Sequence, residues 1–219
     1  MKLPDAKTID YRREIMIREH LMGRGIRNQA VIKAMREVPR EAFVDESLAE
    51  QAYEDHPLPI AGGQTISQPY IVAYMTEALE LHSSDRVLEI GTGSGYAAAI
   101  LGRIVSTVHT VERLAGLAQS ARQRLELLGY TNIVVHEGDG TLGWPEHAPY
   151  DAIVVTAGAP ELPKPLLGQL AIGGRLVIPV GASHDLQVLV RVRRIGESEY
   201  KRDELCGVRF VPLIGTAGW

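Results

Sequence analysis

The chain has 219 residues, a formal net charge of −4 and one cysteine, Cys206. This length suits a single domain with a sizeable core, the lone cysteine excludes an internal disulfide framework, and the acidic balance argues against a dedicated nucleic-acid binder with a basic face. No apolar run approaches the roughly 18–20 residues of a membrane span, and Met1 to Lys7 lacks a signal peptide's apolar core. The expectation is a cytoplasmic protein with no membrane or nucleic-acid partner, its oligomeric state open and a monomer the simplest case.

Thr8 to Gly25 reads as a helix, in which Ile9, Ile15, Met16, Ile17, Leu21 and Met22 recur at a loose helical period before Gly23 and Gly25. A second helix is expected from an Asn28 N-cap to just before Pro39, and a third over Ser47 to Tyr53. This front part carries no strand signal. Pro57 to Pro69, with Gly62 and Gly63 paired, reads as a shaped loop. A helix follows from Pro69 to Leu81, its apolar stripe made by Ile71, Val72, Met75, Ala78 and Leu79.

From Arg86 short apolar runs alternate with helical stretches. Strands are expected at Arg86 to Ile90, Thr107 to Val111, Ile133 to Glu137, Tyr150 to Thr156 and Arg175 to Val180. Helices are expected at Tyr96 to Ile104, Arg113 to Leu128 and Pro163 to Leu170. Such alternation predicts an α/β fold, a doubly wound, mostly parallel, Rossmann-like sheet covered on both faces. Gln187 to Arg194 and Leu205 to Val211 then flank a polar turn at Gly196 to Glu199, an antiparallel hairpin at the sheet's end. The expected organisation is one domain: a helical front part with the loop over 1–68, a core over 69–181 and the hairpin over 182–219.

Gly91, Gly93 and Gly95 lie where the first of these strands gives way to a helix, so the chain can turn tightly and let a ligand approach its backbone. The spacing is G-x-G-x-G, not the dinucleotide G-x-G-x-x-G. With Glu89 just before it, the segment resembles the first cofactor motif of class I S-adenosylmethionine-dependent methyltransferases. Glu89 suits the cationic amino-acid end of that cofactor, directly or through water. Glu112, ending the next strand about 20 residues on, suits ribose hydroxyls. Asp139, between Gly138 and Gly140 at a third strand end, suits an adenine amino group. Taken singly, Glu112 is an ordinary helix-start residue and Asp139 an ordinary turn former; together they mark the carboxyl edge where open α/β sheets bind ligands.

A cofactor motif does not name the acceptor. Tyr53-Glu54-Asp55, Leu58-Pro59-Ile60 and Gly63-Gln64-Thr65-Ile66-Ser67-Gln68-Pro69-Tyr70 resemble the hallmark loop of protein-L-isoaspartate O-methyltransferases. The resemblance continues through Asp85 to Tyr96, Gly138 to Gly140, Tyr150 to Pro160, Gly173 to Gly181 and Val208 to Leu213, which is most of the chain. Two small departures are Ala61, where the family usually has glycine, and Phe210, where tyrosine is common. The resemblance implies methyl transfer from S-adenosylmethionine to the free α-carboxylate of L-isoaspartyl residues in damaged proteins and peptides. The ester speeds return to succinimide, whose hydrolysis yields some normal aspartate. It also implies an active-site serine at Ser67 and cofactor contacts at Gln64, Thr65, Ile66, Ser67, Glu89, Gly91, Thr92, Gly93, Gly95, Glu112, Arg113, Asp139 and Gly140.

The chemistry suits the residues. A carboxylate acceptor is ionised at neutral pH and needs no general base, which accounts for the absence of a Ser/His/Asp set, paired catalytic carboxylates or a reactive thiol near the loop. Ser67 then orients one carboxylate oxygen while the other attacks, with N–H groups of Thr65 to Ser67 assisting; the competing role for Ser67 is a helix N-cap before Pro69. The seven histidines show no metal-ligand spacing, His56 reads as a surface residue, and Cys206 as core filler. Arg191, Arg193, Arg194, Lys201 and Arg202 read as a solvated hairpin face. Three other readings stay open: a class I methyltransferase with another acceptor such as an RNA base, a cofactor-binding module without turnover, and a nicotinamide dehydrogenase. Against the first stands the lack of an Asn/Asp-Pro-Pro-Tyr/Phe motif, since Thr156-Ala157-Gly158-Ala159-Pro160 follows the fourth strand.

Overall fold

A computed structural model describes residues 6–183 and 186–219; Met1 to Asp5, part of the segment read for a signal peptide, and residues 184–185 lie outside them. The front part begins with α1 (Ala6–Ile15). The expected single helix to Gly25 changes winding: Met16–Leu21 forms a π-helical turn and Met22–Arg24 a 3-10 turn. The wider turn lets Met16, Ile17 and Leu21 all enter the core. Helix α2 (Gln29–Glu37) starts where expected, the Asn28 side chain accepting bonds from the N–H groups of Ala30 and Val31. The third expected helix is a short 3-10 segment, Glu46–Gln51, capped by Asp45.

The absence of strands in the front part needs one correction. Inside the expected loop, β1 (Leu58–Pro59) pairs antiparallel with β2 (Thr65–Ile66), the chain reversing through Gly62 and Gly63 at φ of 68° and 67°. Two-residue strands carry too little period-2 pattern to stand out. Helix α3 (Pro69–Ala78) follows, with proline in its first turn.

The main sheet has seven strands in the order β5-β4-β3-β6-β7-β8-β9. They are β3 (Arg86–Ile90), β4 (Thr107–Glu112), β5 (Ile133–Glu137), β6 (Tyr150–Val155), β7 (Leu170–Val180), β8 (Gln187–Arg194) and β9 (Tyr200–Val208). The first five in that order run parallel, and β8 and β9 add the antiparallel hairpin. Helices α4 (Tyr96–Gly102), α5 (Ala115–Leu127) and α6 (Lys164–Gly168) link the parallel strands.

Alternate residues of each strand feed two cores. Val87, Val108, Ala152, Val154 and Val177 pack with the front part and α4, while Leu88, Ile90, Ile153, Val155 and Leu176 pack with Leu166 of α6 and Leu213. Burial on both faces is why these strands read as nearly continuous apolar runs. The strand order reverses beside β3, whose neighbours are β4 on one side and β6 on the other. An open α/β sheet leaves a crevice at such a point, outside the carboxyl ends of its strands.

Candidate active site

The cleft at this reversal is walled by stretches far apart in the sequence. Gln64, Thr65, Ile66 and Ser67 form one side, and Ile90 with Gly91, Thr92, Gly93 and Ser94 forms the floor. Val111, Glu112, Arg113 and Gly140 follow from the ends of β4 and β5. Thr156 and Ala157, after β6, and Val211 to Ile214 complete it.

The glycine turn is held by its neighbours. Gly91 donates its N–H to the carbonyl of Val111 (2.9 Å) at a φ of 94°. Thr156 Oγ1 donates towards the carbonyls of Ile90 (3.0 Å) and Gly91 (2.8 Å), so a Cβ on Gly91 would lie 2.4 Å from that hydroxyl oxygen. Glu112 accepts from the N–H of Gly93 (2.9 Å) with one oxygen and of Leu114 (3.0 Å) with the other. The carboxylate is therefore fixed at the cleft wall, with lone pairs left for a ligand's hydroxyls. Arg113 stands exposed at the rim.

Three expected contact residues, Glu89, Gly95 and Asp139, are not among those that line the cleft. Glu89 is wholly buried beneath the turn, with Thr110 Oγ1 donating to one oxygen (2.5 Å) and the other unpartnered among the described residues. Burial pushes its carboxyl up to about 8; the Thr110 bond opposes this and the charge of Glu112 reinforces it. Thr110 also shares a hydrogen bond with Thr92 (2.6 Å), so Glu89 reaches the wall only through this hydroxyl pair. Gly95 faces α5, near Ala121 and Leu125.

Asp139 turns its carboxylate to backbone. Oδ1 accepts from the N–H (2.9 Å) and hydroxyl (2.6 Å) of Thr141, and Oδ2 from the N–H of Thr216 (2.8 Å). Burial alone would raise its pKa, but these bonds outweigh it and hold the carboxyl below the ordinary aspartate range. Its neighbour Gly140 is the residue on the wall.

Ser67 lines the cleft, half-buried, and its hydroxyl makes no hydrogen bond among the described residues. The N-cap of α3 is Gln68, with no side-chain cap bond. The capping role weighed for Ser67 is thus not the one seen. The loop is held from outside: Asp55 accepts from Gln68 Nε2 (2.9 Å), the N–H of Tyr70 (3.2 Å) and Arg24 (2.6 Å).

Reading the sequence for site residues missed Thr156 and the stretch from Val211 to Ile214. The tail reaches the cleft because Gly158 donates its N–H to Val211 and Leu213 donates back to Gly158 (both 2.8 Å). The small-residue run after β6, at the same sheet edge as the glycine turn, was the available signal. His56 is exposed and paired with Glu54, and Cys206 is partly buried against the core, as expected.

The wall thus combines glycines, hydroxyls, one carboxylate and one arginine, with no histidine or cysteine among the described lining residues. Acceptors for hydroxyls and apolar walls suit an adenosyl group. The residues present therefore fit S-adenosylmethionine.

Comparison with known proteins agrees. The family described as Protein-L-isoaspartate(D-aspartate) O-methyltransferase (PCMT) matches residues 12–218. The chain belongs to this family. It is 75% identical to protein-L-isoaspartate O-methyltransferase 2 of Pelobacter propionicus, over 100% of this chain and 97% of that one. It is 74% identical to protein-L-isoaspartate O-methyltransferase 1 of Geotalea uraniireducens, over 100% of both. A solved protein-L-isoaspartate O-methyltransferase superposes with a TM-score of 0.83 at 32% identity, covering 94% of this chain and 67% of that one. The "beta-aspartate methyltransferase (PCMT)" of Plasmodium falciparum, solved with S-adenosyl-L-homocysteine, gives 0.79 at 28% identity, covering 93% and 98%.

Proposed function

We propose that this chain transfers a methyl group from S-adenosylmethionine to the free α-carboxylate of L-isoaspartyl residues in damaged proteins and peptides. It is a protein-repair methyltransferase of the family that matches it. The observation that carries the reading is that the Gln64 to Ser67 loop and the Gly91 to Gly93 turn line one cleft.

When bound, S-adenosylmethionine supplies a methyl group on an already activated sulfonium. The remaining work belongs to the chain. The glycine turn admits the ligand to its backbone, and Glu112 accepts from ribose hydroxyls. Gly140 and the tail from Val211 to Ile214, which line the same cleft, would enclose the adenine end. Glu89, about half protonated near pH 8, acts through Thr110 and Thr92 rather than by direct contact. Ser67 donates its free hydroxyl to one oxygen of the acceptor carboxylate and leaves the other in line for attack, a task of orientation. Among the described residues the wall carries no imidazole or thiol, which fits an acceptor that arrives ionised.

The reading takes the cytoplasm as the site of action and damaged proteins as partners, with no nucleic acid or membrane involved. Among the described residues no helix is long and apolar enough to cross a membrane. The test offers labelled S-adenosylmethionine with two peptides differing only in aspartyl or isoaspartyl linkage. Base-labile label should enter the isoaspartyl peptide alone, and absence of label from both peptides rejects the reading.

A further inference from the structure

Arg40 follows Pro39 at the start of a 3-10 turn, and its side chain is completely buried. Buried charges are ordinarily paired, because removing an ion from water is costly. No carboxylate bonds to this guanidinium among the described residues. Nε donates to the carbonyl of Ala52 (2.7 Å) and Nη2 to the carbonyl of Ser67 (2.8 Å). Its central carbon lies 4.8 Å from the centroid of the Tyr96 ring, the first residue of α4 after the glycine turn. Nη1 has no hydrogen-bond partner among the described residues. Burial pulls its pKa below the ordinary guanidinium value, yet arginine stays charged in proteins.

Three segments meet at this one cation: the front part at Ala52, the acceptor loop at Ser67 and the cofactor helix at Tyr96. Two carbonyl dipoles and an aromatic face solvate the charge, and the Asp55 carboxylate acts on it through space without bonding to it. Its positive potential therefore extends to the Ser67 peptide, whose hydroxyl lines the cleft. An apolar side chain of similar volume would fill the space but would leave the Ser67 carbonyl without this donor.

We propose that Arg40 is a positioning residue for methyl transfer, locking the main chain of Ser67 so that its hydroxyl meets the acceptor carboxylate and lending positive potential to that anionic subsite. This rests on the orienting role given to Ser67. Arg40 touches neither reactant, so its effect should run through Ser67 and spare the cofactor.

A double-mutant cycle in the full chain tests this, using Arg40→Lys, Ser67→Ala and their combination. Melting temperature and S-adenosylhomocysteine affinity serve as controls for folding. Arg40→Lys should lower kcat for an isoaspartyl peptide by about 10-fold or more, since small misplacements at a reacting centre are that costly, and affinity for S-adenosylhomocysteine should change less than about threefold. In the Ser67→Ala background the same change should slow turnover less than about twofold, because residues acting as a unit are not additive. Equal factors in both backgrounds, or an unchanged kcat in Arg40→Lys, overturn the proposal. Unchanged kcat in Ser67→Ala instead overturns the role of Ser67 itself. Should Arg40→Lys fail to fold, Arg40→Gln in the same cycle, which keeps neutral donors without the charge, is read by the same criteria.

Discussion

Two parts of the cleft wall are built on opposite principles. The glycine turn is made of consecutive residues between β3 and α4, and backbone sterics fix its shape: Gly91 has a φ of 94° and no room for a Cβ beside Thr156. The rest of the wall is assembled from segments far apart in sequence. Arg40 and Asp55 hold the Ser67 loop, and the tail reaches Asp139 from 77 residues away. Steric exclusion resists any displacement. A hydrogen bond contributes only about 0.5–1.5 kcal/mol, roughly 1.5–3 when a charge takes part. The turn is thus the rigid half of the wall, and the loop and tail are the half held in place by hydrogen bonds between distant segments.

The largest expected effect tests the rigid half. Gly91→Ala would set a methyl 2.4 Å from Thr156 Oγ1 at a backbone angle L-residues rarely adopt. A loss of roughly 2–4 kcal/mol is expected, with no measurable S-adenosylhomocysteine binding. Denaturant unfolding and calorimetry read the two effects. Unchanged stability and affinity would mean that the turn yields, and the contrast would collapse.

The same contrast explains what could be read from the sequence. Strands β3, β5 and β8 fall on their expected boundaries, because apolar runs bounded by turn signals are local features. The glycine turn and Glu112 were legible for the same reason: strand, turn and acid follow each other closely. The π-helical turn at Met16–Leu21 was not, since long-range packing of Met16 and Leu21 decides it. Nor was the engagement of Glu89 and Asp139 by partners within the protein. Their partners, Thr110 and Thr216, become neighbours only when β3 pairs with β4 and the tail folds back. Arg40 carried no signal, because its importance lies in carbonyls it meets only in the folded chain.

A smaller effect tests the assembled half. A Cβ on Gly215 would lie 2.0 Å from Asp139 Oδ1, so the tail's approach to that carboxylate depends on glycine there. Trp219 latches the tail, donating its indole N–H to the carbonyl of Gly158 (3.0 Å) and its backbone N–H to that of Leu213 (2.9 Å). Gly215→Ala should push the tail outward and weaken S-adenosylhomocysteine binding about 10-fold, or about 1.4 kcal/mol. Turnover at saturating cofactor should stay within a few-fold, because Ser67 is untouched. Calorimetry with unchanged affinity would show that the tail's hold on Asp139 has no part in the cofactor site.

The smallest effect concerns the strands that carry the rigid half. His109 of β4 and His136 of β5 share a hydrogen bond (3.0 Å), and His147 stacks on His109 with ring centroids 4.2 Å apart. Trp144 stacks on His136, and Tyr150 meets His109 edge-on. Burial lowers the pKa of His109 to about 4, helped by the nearby charges of His147, His136 and Arg86; burial also lowers that of His136. An unfolded histidine titrates near 6.5. Between about pH 6.5 and 4 the unfolded His109 therefore binds more protons than the folded one, and its contribution to stability falls as the solution is acidified through that window, while Glu89, raised to about 8, contributes with the opposite sign down to about pH 4.5. Above it the neutral rings leave stability unaffected. For His109 alone the slope is at most about 1.4 kcal/mol per pH unit. Urea unfolding across the window should show the His109 contribution as a difference, with the native chain losing stability relative to His109→Gln as the pH falls. Because Glu112 ends β4, the cofactor pocket should fail together with the strands, not before them. A pocket that loses S-adenosylhomocysteine at a pH where the sheet is still fully folded would show that the turn is held less tightly than its sterics imply.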